Sequence, residues 1–132
     1  MDVPFFLCSV PAGFPSPADD FKESALDLHE LLIAHPDATF YVRVRGDSMK
    51  NAGIRDGDIL VVDRALEARP NSIIVARLHQ EFTVKRLSQQ GESVFLVPAN
   101  PQYRPIHVTP EMDFQVWGVV RAVIHLFVPR GR

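Results

Sequence analysis

The 132-residue sequence has few of the residues that mark several common classes of protein. It contains one cysteine, Cys8, so no disulfide can form within the chain and no cysteine-based zinc site is possible. It also has no excess of basic residues, because the formal net charge is −2. A protein that binds nucleic acid through a general surplus of lysine and arginine is therefore not indicated, and no sequence-specific DNA binding is expected.

Long apolar runs are absent as well. No stretch reaches the ~18 consecutive apolar residues that a membrane-spanning helix needs. The apolar segment over 3–12 has some features of a signal peptide, but it follows Asp2, lacks a preceding basic region and is interrupted by Pro4 and Pro11. The sequence therefore predicts a cytoplasmic protein without a membrane partner.

Clusters of metal-binding residues are missing too. The five histidines are scattered, and no pair has the i, i+4 spacing of a helical metal site. Asp56 and Asp58 flank Gly57, but no glutamate follows at the distance that a calcium loop requires, so we interpret both carboxylates as solvated turn residues. There is no glycine-rich phosphate loop. No cofactor and no metal ion is expected.

The first part of the chain has the composition of an extended arm followed by one helix. Four prolines interrupt residues 1–23, yet this segment carries apolar side chains that disordered tails lack. We therefore predict an arm that docks on another surface. A helix is predicted near 24–34, capped by Ser24 or Asp27, ended by Pro36 and packing its leucines over the core.

From Thr39 onward the pattern is that of β-strands. In the first strand Phe40 and Val42 alternate with Tyr41 and Arg43, which predicts one buried and one solvated face. Strands are predicted over 39–45, 59–62, 71–78, 81–87, 93–98, 106–108 and 114–127, with a hairpin turn at 79–80. The sequence thus predicts a mainly β, barrel-type domain over 39–132, preceded by an N-terminal region over 1–38 that holds the arm and one short helix.

One candidate nucleophile directly follows the first predicted strand, in the tetrapeptide Gly46-Asp47-Ser48-Met49. Gly46 permits a sharp turn, and a serine just beyond a strand end is held rigidly with its hydroxyl exposed. A turn of this composition is usually structural, so the tetrapeptide alone does not identify an active site.

Lys85 is the second candidate, in the predicted strand over 81–87. Strand alternation places it on one face with Thr83 and Leu87. An exposed lysine there would only protect a sheet edge. A partly buried one could act as a base, because desolvation can lower the lysine pKa by up to about 3–5 units. Ser–Lys is a recognised alternative to the Ser–His pair.

These two features belong to a pattern that runs over almost the whole chain. The sequence resembles the UmuD-like members of the self-cleaving LexA-like Ser–Lys peptidases, peptidase family S24. The serine and lysine segments are specific in their order and spacing. The resemblance is carried by residues 13–18, 28–33, 35–36, 46–49, 53–54, 56–63, 81–87, Pro98, Asn100, Tyr103, 105–106 and 118–120.

The resemblance implies roles for four residues. Ser48 would be the nucleophile and Lys85, when neutral, the general base. The scissile bond would be Ala12–Gly13, in the N-terminal region, and the arm would be the substrate. UmuD proteins often have Cys-Gly at this bond, whereas Ala-Gly is typical of LexA-type proteins. We further expect the amide of Ser48 to be one oxyanion-hole donor.

The resemblance also implies partners and a cellular role. Such proteins are homodimers that meet a RecA–single-stranded-DNA filament after DNA damage and then cleave themselves. The shortened form joins a Y-family, UmuC-like polymerase subunit in translesion synthesis. Three alternative functions make different demands on the sequence. A repressor would need a helix-turn-helix domain before the arm, and a signal-peptidase-like enzyme would need a membrane anchor. A non-catalytic β-domain that binds a polymerase or another protein would use Ser48 only as a turn residue and Lys85 only as a surface charge.

Overall fold

A computed structural model describes residues 5–6, 12–13, 22–23 and 26–129. Its contacts divide the chain into two compact units, Met1–Ala34 and His35–Arg132, and each is described by itself. In the first unit, strands β1 (Phe5–Phe6) and β2 (Lys22–Glu23) pair antiparallel. Most of the predicted arm lies outside the described residues, and the predicted boundary after residue 38 stays a prediction.

The one α-helix among the described residues, α1, covers Leu28–Leu32 and is shorter than the sequence predicts. It begins after Asp27, whose side chain accepts a 3.2 Å hydrogen bond from the Glu30 N–H, so this predicted cap is confirmed. Leu28 and Leu31 are 60% and 54% exposed. The predicted burial of the leucine face is therefore wrong, because a helix of little more than one turn cannot form the continuous apolar stripe that the spacing assumed. No helix in the described part of the chain is long and apolar enough to span a membrane.

The second unit is built on one seven-stranded sheet, which confirms the mainly β prediction. Its strands are β3 (Thr39–Arg43), β4 (Ile59–Asp63), β5 (Ile73–Leu78), β6 (Glu81–Gln90), β7 (Ser93–Val97), β8 (Ile106–Val108) and β9 (Phe114–Ile124). All neighbouring strands run antiparallel, in the order β3-β4-β9-β5-β6-β7-β8. Two 3₁₀ turns, at Pro36–Ala38 and Lys50–Ala52, precede β3 and β4.

Strand ends and irregularities account for the differences from the predicted elements. The first strand stops at Arg43, two residues before the predicted end, although Val44 still exchanges hydrogen bonds of 2.8 Å with Asp58 and Gly57. The predicted segment over 114–127 is one strand that ends at Ile124. The register of β9 shifts beside Trp117 against β5 and beside Arg121 against β4, and such irregularities bend a strand.

The core consists of two apolar clusters on opposite faces of the sheet. Along β5, Val75 belongs to one cluster, whereas Ile74 and Ala76 belong to the other, as strand alternation requires. The first cluster also contains Val44 and Met49, which flank the Gly46 turn. This cluster therefore attaches the segment after β3 to the centre of the sheet.

Two buried aspartates mark the two ends of β4: Asp58 directly precedes the strand and Asp63 is its last residue. Asp58 is 2% exposed, so its predicted interpretation as a solvated turn residue is wrong. Burial by itself raises the pKa of Asp58, but hydrogen bonds from the Arg55 N–H at 2.8 Å and with His125 at 2.5 Å outweigh it and lower the pKa. Sequence alone did not indicate this burial because one of the two hydrogen-bond partners, His125, lies 67 positions away along the chain.

Candidate active site

The turn that carries Ser48 is fixed on both sides. Gly46 adopts a φ of 85°, a left-handed conformation that favours glycine, and its N–H donates a 2.7 Å hydrogen bond to the Asp56 carboxylate. On the other side Met49 is 1% exposed and packs in the first core cluster. Ser48, between these two anchors, remains partly exposed. The prediction that Gly46 makes a sharp turn here is confirmed.

Lys85 approaches Ser48 from β6, which pairs with the central strand β5. Its Nζ atom lies 2.9 Å from Oγ of Ser48, although 37 positions separate the two residues. It also lies 2.8 Å from Oγ1 of Thr83 and 3.0 Å from the carbonyl oxygen of Val84. The structure thus brings together the two residues that the sequence singled out separately.

The surroundings of Lys85 favour its neutral form. The side chain is partly buried, and this burial lowers the pKa of Lys85 below its usual value of 10.5. The three atoms that it contacts are uncharged oxygens, so no contacting carboxylate offsets the desolvation. A neutral amine can donate to Thr83 and Val84 and still accept the hydroxyl proton of Ser48 through its lone pair. The arrangement can therefore act as a nucleophile and its general base.

A cleft of about 270 Å³ opens beside the pair. Val42 of β3 and Phe82 and Val84 of β6 are among the apolar side chains that line it. The polar residues of its lining are Arg43, Arg45, Ser48, Thr83 and Lys85. Phe82 is 57% exposed and reaches the rim. A cleft of this kind can accept a short stretch of extended peptide and shield the reacting atoms from water.

A loop between β7 and β8 contacts Asp47, the residue before Ser48, and sequence analysis assigned this loop no role. The side-chain amide of Asn100 donates a 3.0 Å hydrogen bond to the carbonyl oxygen of Asp47, and the Tyr103 hydroxyl donates a 2.7 Å bond to the Asp47 carboxylate. The hydrogen bond and then the charge of Asp47 raise the pKa of Tyr103, so its hydroxyl stays protonated in moderately alkaline solution. Asn100 and Tyr103 appeared only as parts of the family resemblance, and no spacing rule connects them to residue 47.

The predicted cleavage-site residues, Ala12 and Gly13, belong to the first unit, where both are exposed. Their role stays a prediction. Within the described residues, no group of three or more histidine, cysteine, aspartate or glutamate side chains could hold a metal ion.

A family model and several known proteins each match most of this chain. The family model described as "Peptidase S24-like" matches residues 4–121. Protein SamA of Salmonella typhimurium is 48% identical over 122 residues, which cover 92% of this chain and 84% of SamA. Protein MucA of Escherichia coli is 45% identical over 119 residues, which cover 89% of this chain and 81% of MucA. LexA repressor 2 of Pseudomonas putida is 42% identical over 118 residues, which cover 86% of this chain and 55% of that repressor.

Proposed function

Because the chain belongs to the peptidase S24-like family, we propose that it cuts its own N-terminal arm between Ala12 and Gly13. Ser48 is the nucleophile and Lys85 the general base. The observation that carries this proposal is the 2.9 Å hydrogen bond between Ser48 Oγ and a lysine whose pKa is lowered by burial. A surface lysine and an ordinary turn serine, as in the non-catalytic alternative, would have no reason to meet in a cleft.

The reaction proceeds in two steps. Neutral Lys85 takes the proton of the Ser48 hydroxyl while Oγ attacks the carbonyl carbon of Ala12. The resulting oxyanion accepts hydrogen bonds from backbone N–H groups that include the Ser48 amide. The Lys85 ammonium then gives its proton to the Gly13 nitrogen as the C–N bond breaks, which leaves residues 1–12 as an ester on Ser48. Lys85 activates a water molecule that hydrolyses this ester and restores the serine.

Two features of the substrate support this chemistry. Ala12 and Gly13 are exposed, so the bond is open to capture by a cleft. Their small side chains allow the peptide backbone to approach Ser48 closely. A substrate on the same polypeptide or dimer also avoids most of the entropic cost of association. A modest catalyst is therefore sufficient for a bond that each molecule cuts once.

The proposed role of the cleaved protein is that of an accessory subunit. The shortened chain acts as a cytoplasmic homodimer with a Y-family, UmuC-like subunit in error-prone translesion synthesis, after a RecA–single-stranded-DNA filament has promoted cleavage. The extensive similarity to MucA and SamA supports this assignment. Leu126, Phe127 and Val128 are three consecutive apolar side chains that are 54%, 91% and 78% exposed, which supports a protein–protein interface near the chain end.

The experiment that tests the proposal is intact-mass analysis before and after incubation at pH ~10, where a free lysine is partly neutral. The wild-type chain should lose residues 1–12, and Ser48→Ala and Lys85→Ala should stay intact. Lys50→Ala is the matched control, because Lys50 is exposed, lies two residues from Ser48 and should not affect cleavage. If the wild type stays intact, incubation is repeated with RecA and single-stranded DNA. Intact wild-type chain under both conditions would contradict the proposal.

A further inference from the structure

The carbonyl oxygen of Asp47, in the peptide bond to Ser48, accepts hydrogen bonds from two donors: the Lys50 N–H at 3.2 Å, within the turn, and the side chain of Asn100. Nδ2 of Asn100 donates a 3.0 Å hydrogen bond to the Asp47 carbonyl oxygen. Its Oδ1 accepts a 3.0 Å hydrogen bond from the Gln102 N–H, so both ends of the amide have partners that fix its orientation. Asn100 is only 4% exposed, and water therefore does not compete for these bonds.

The Asn100 contact is the shorter of the two and holds the carbonyl group from outside the turn, so it contributes to where the N–H of Ser48 points. A peptide unit is planar, with its C=O and N–H on opposite sides, so a clamp on the Asp47 oxygen sets the direction of the Ser48 N–H. Within the described residues that N–H has no hydrogen-bond acceptor. We infer that Asn100 is a positioning residue that aims the Ser48 N–H at the oxyanion formed from the scissile carbonyl. The inference rests on the proposed self-cleavage.

A second backbone contact from the same loop supports this arrangement. The Ala99 N–H donates a 2.8 Å hydrogen bond to the Ser48 carbonyl oxygen, and the Asn51 N–H donates one of 2.8 Å to the Ala99 carbonyl. Residues 99 and 100 therefore hold the carbonyl groups on both sides of the nucleophile. Donors that are fixed before the reaction stabilise the developing charge without reorganisation.

Tyr103 provides a contrast within the same loop. Its hydroxyl also bonds to Asp47, but to the carboxylate rather than to the peptide group, and the tyrosine is 44% exposed. Removal of this hydroxyl leaves the clamp on the Asp47 carbonyl unchanged. Tyr103→Phe is therefore a matched control that perturbs the loop and residue 47 without perturbing the direction of the Ser48 N–H.

The decisive variant is Asn100→Asp. Aspartate keeps an oxygen that accepts from the Gln102 N–H, so the turn over 100–103 keeps its own hydrogen bond, but it has no N–H to donate to the Asp47 carbonyl. The first-order rate of self-cleavage is measured from pH 7 to 11 by intact mass for wild type, Asn100→Asp, Asn100→Ala and Tyr103→Phe. We expect both Asn100 variants to lower the high-pH plateau by about tenfold or more, less than the ~10²–10³-fold lost with an oxyanion donor itself. In Asn100→Ala the pH of half-maximal rate should not change, because the contacts of Lys85 are intact, whereas the new carboxylate of Asn100→Asp favours the Lys85 ammonium and should move that pH upwards. Tyr103→Phe should stay within about twofold of wild type.

Two results would overturn the inference. One is a plateau rate of self-cleavage for Asn100→Asp within about twofold of wild type, which would show that Asn100 stabilises only the turn over 100–103. The other is an Asn100→Ala variant with a changed midpoint at an unchanged plateau, which would show that Asn100 acts on the base, Lys85, instead. Thermal unfolding checks each variant, and the uncharged Asn100→Ser replaces any that is unfolded at the assay temperature. If the wild type does not cleave under any condition while Ser48→Ala behaves identically, the proposed function fails rather than the role of Asn100.

Discussion

The Nζ atom of Lys85 lies 2.8 Å from Oγ1 of Thr83, two residues earlier on the same face of β6. The hydroxyl of Thr83 and the carbonyl of Val84 accept hydrogen bonds from the amine but carry no negative charge that would hold it as an ammonium. The lysine is therefore oriented without being stabilised in its charged form. This combination is what a lysine needs to act as a base, and two of the predictions below depend on it.

The first prediction concerns the pH dependence of self-cleavage. Burial lowers the pKa of Lys85 below 10.5, so the neutral amine becomes abundant at a lower pH than in a free lysine. The rate should rise with pH through the pKa of the folded protein and become constant above it, with its midpoint below 10.5. First-order rates from intact mass over pH 6–11 measure this midpoint, with circular dichroism to confirm folding. A midpoint at or above 10.5 in the folded protein would contradict the assignment of Lys85.

The second prediction concerns Thr83→Val, which keeps the shape of the side chain and removes its hydroxyl. The ammonium form of Lys85 loses an acceptor, so the pH midpoint of cleavage should move further down. The plateau rate should fall about tenfold, the equivalent of the roughly 1.5 kcal/mol of one hydrogen bond that orients the amine. Thr83→Ser keeps the hydroxyl and should restore both quantities. Equal rates and midpoints for all three proteins would show that Thr83 does not position the base.

The third prediction concerns acid stability. Asp63 is fully buried, and its carboxylate lies 2.6 Å from Nδ1 of His35 and accepts the Ala65 N–H at 2.8 Å. Burial alone raises the pKa of Asp63, but these hydrogen bonds and the charges of His35 and Arg121 outweigh it and lower the pKa below 3.8. The stabilisation is thus complete above the unfolded value of 3.8 and is lost as pH falls from there through the lower folded pKa.

Asp63→Asn tests this contribution. It should lower the free energy of unfolding near neutral pH by about 1–3 kcal/mol and flatten the acid part of the stability curve. Asp113→Asn is the matched control, because Asp113 is exposed and meets Arg77 at 3.3 Å on the surface. Such surface pairs contribute about 0–1 kcal/mol. Urea unfolding at pH 3–7 measures the free energy of unfolding of both variants. Equal losses of this free energy would show that the buried hydrogen bonds of Asp63 contribute no more to stability than the surface pair of Asp113.

The fourth prediction concerns the contact between β9 and β4. A Cβ added at Gly118 would lie 2.6 Å from Cγ1 of Val62 and 3.2 Å from the carbonyl oxygen of Asp63. Val62 is fully buried and β-branched, so it cannot move away cheaply. Gly118→Ala should therefore destabilise the fold by about 1–3 kcal/mol. In a double-mutant cycle, Val62→Ala should relieve part of this loss, whereas strictly additive effects would show that the two residues do not clash.

Residue patterns predicted the strands and their faces well, because the alternation of side chains along a strand is a local property. In β3, Phe40 and Val42 are more buried than Tyr41 and Arg43, as predicted, and His79 and Gln80 form the predicted hairpin turn with positive φ values. The patterns failed at the leucines of α1 and at Asp58. The exposure of the α1 leucines follows from the short length of the helix, and the burial of Asp58 depends on its distant partner His125. The local sequence specifies neither of these.

The sequence by itself determined that this chain is mainly β, that Ser48 follows a strand, and that Lys85 shares a strand face with Thr83. Each of these properties follows from the conformational limits of glycine or from the two-residue period of a strand. Only the tertiary structure decided that Nζ of Lys85 meets Oγ of Ser48 and that Asn100 holds the carbonyl group of Asp47. Burial and hydrogen-bond geometry depend on distant parts of the chain, and both the pKa of the base and the direction of the Ser48 N–H follow from them.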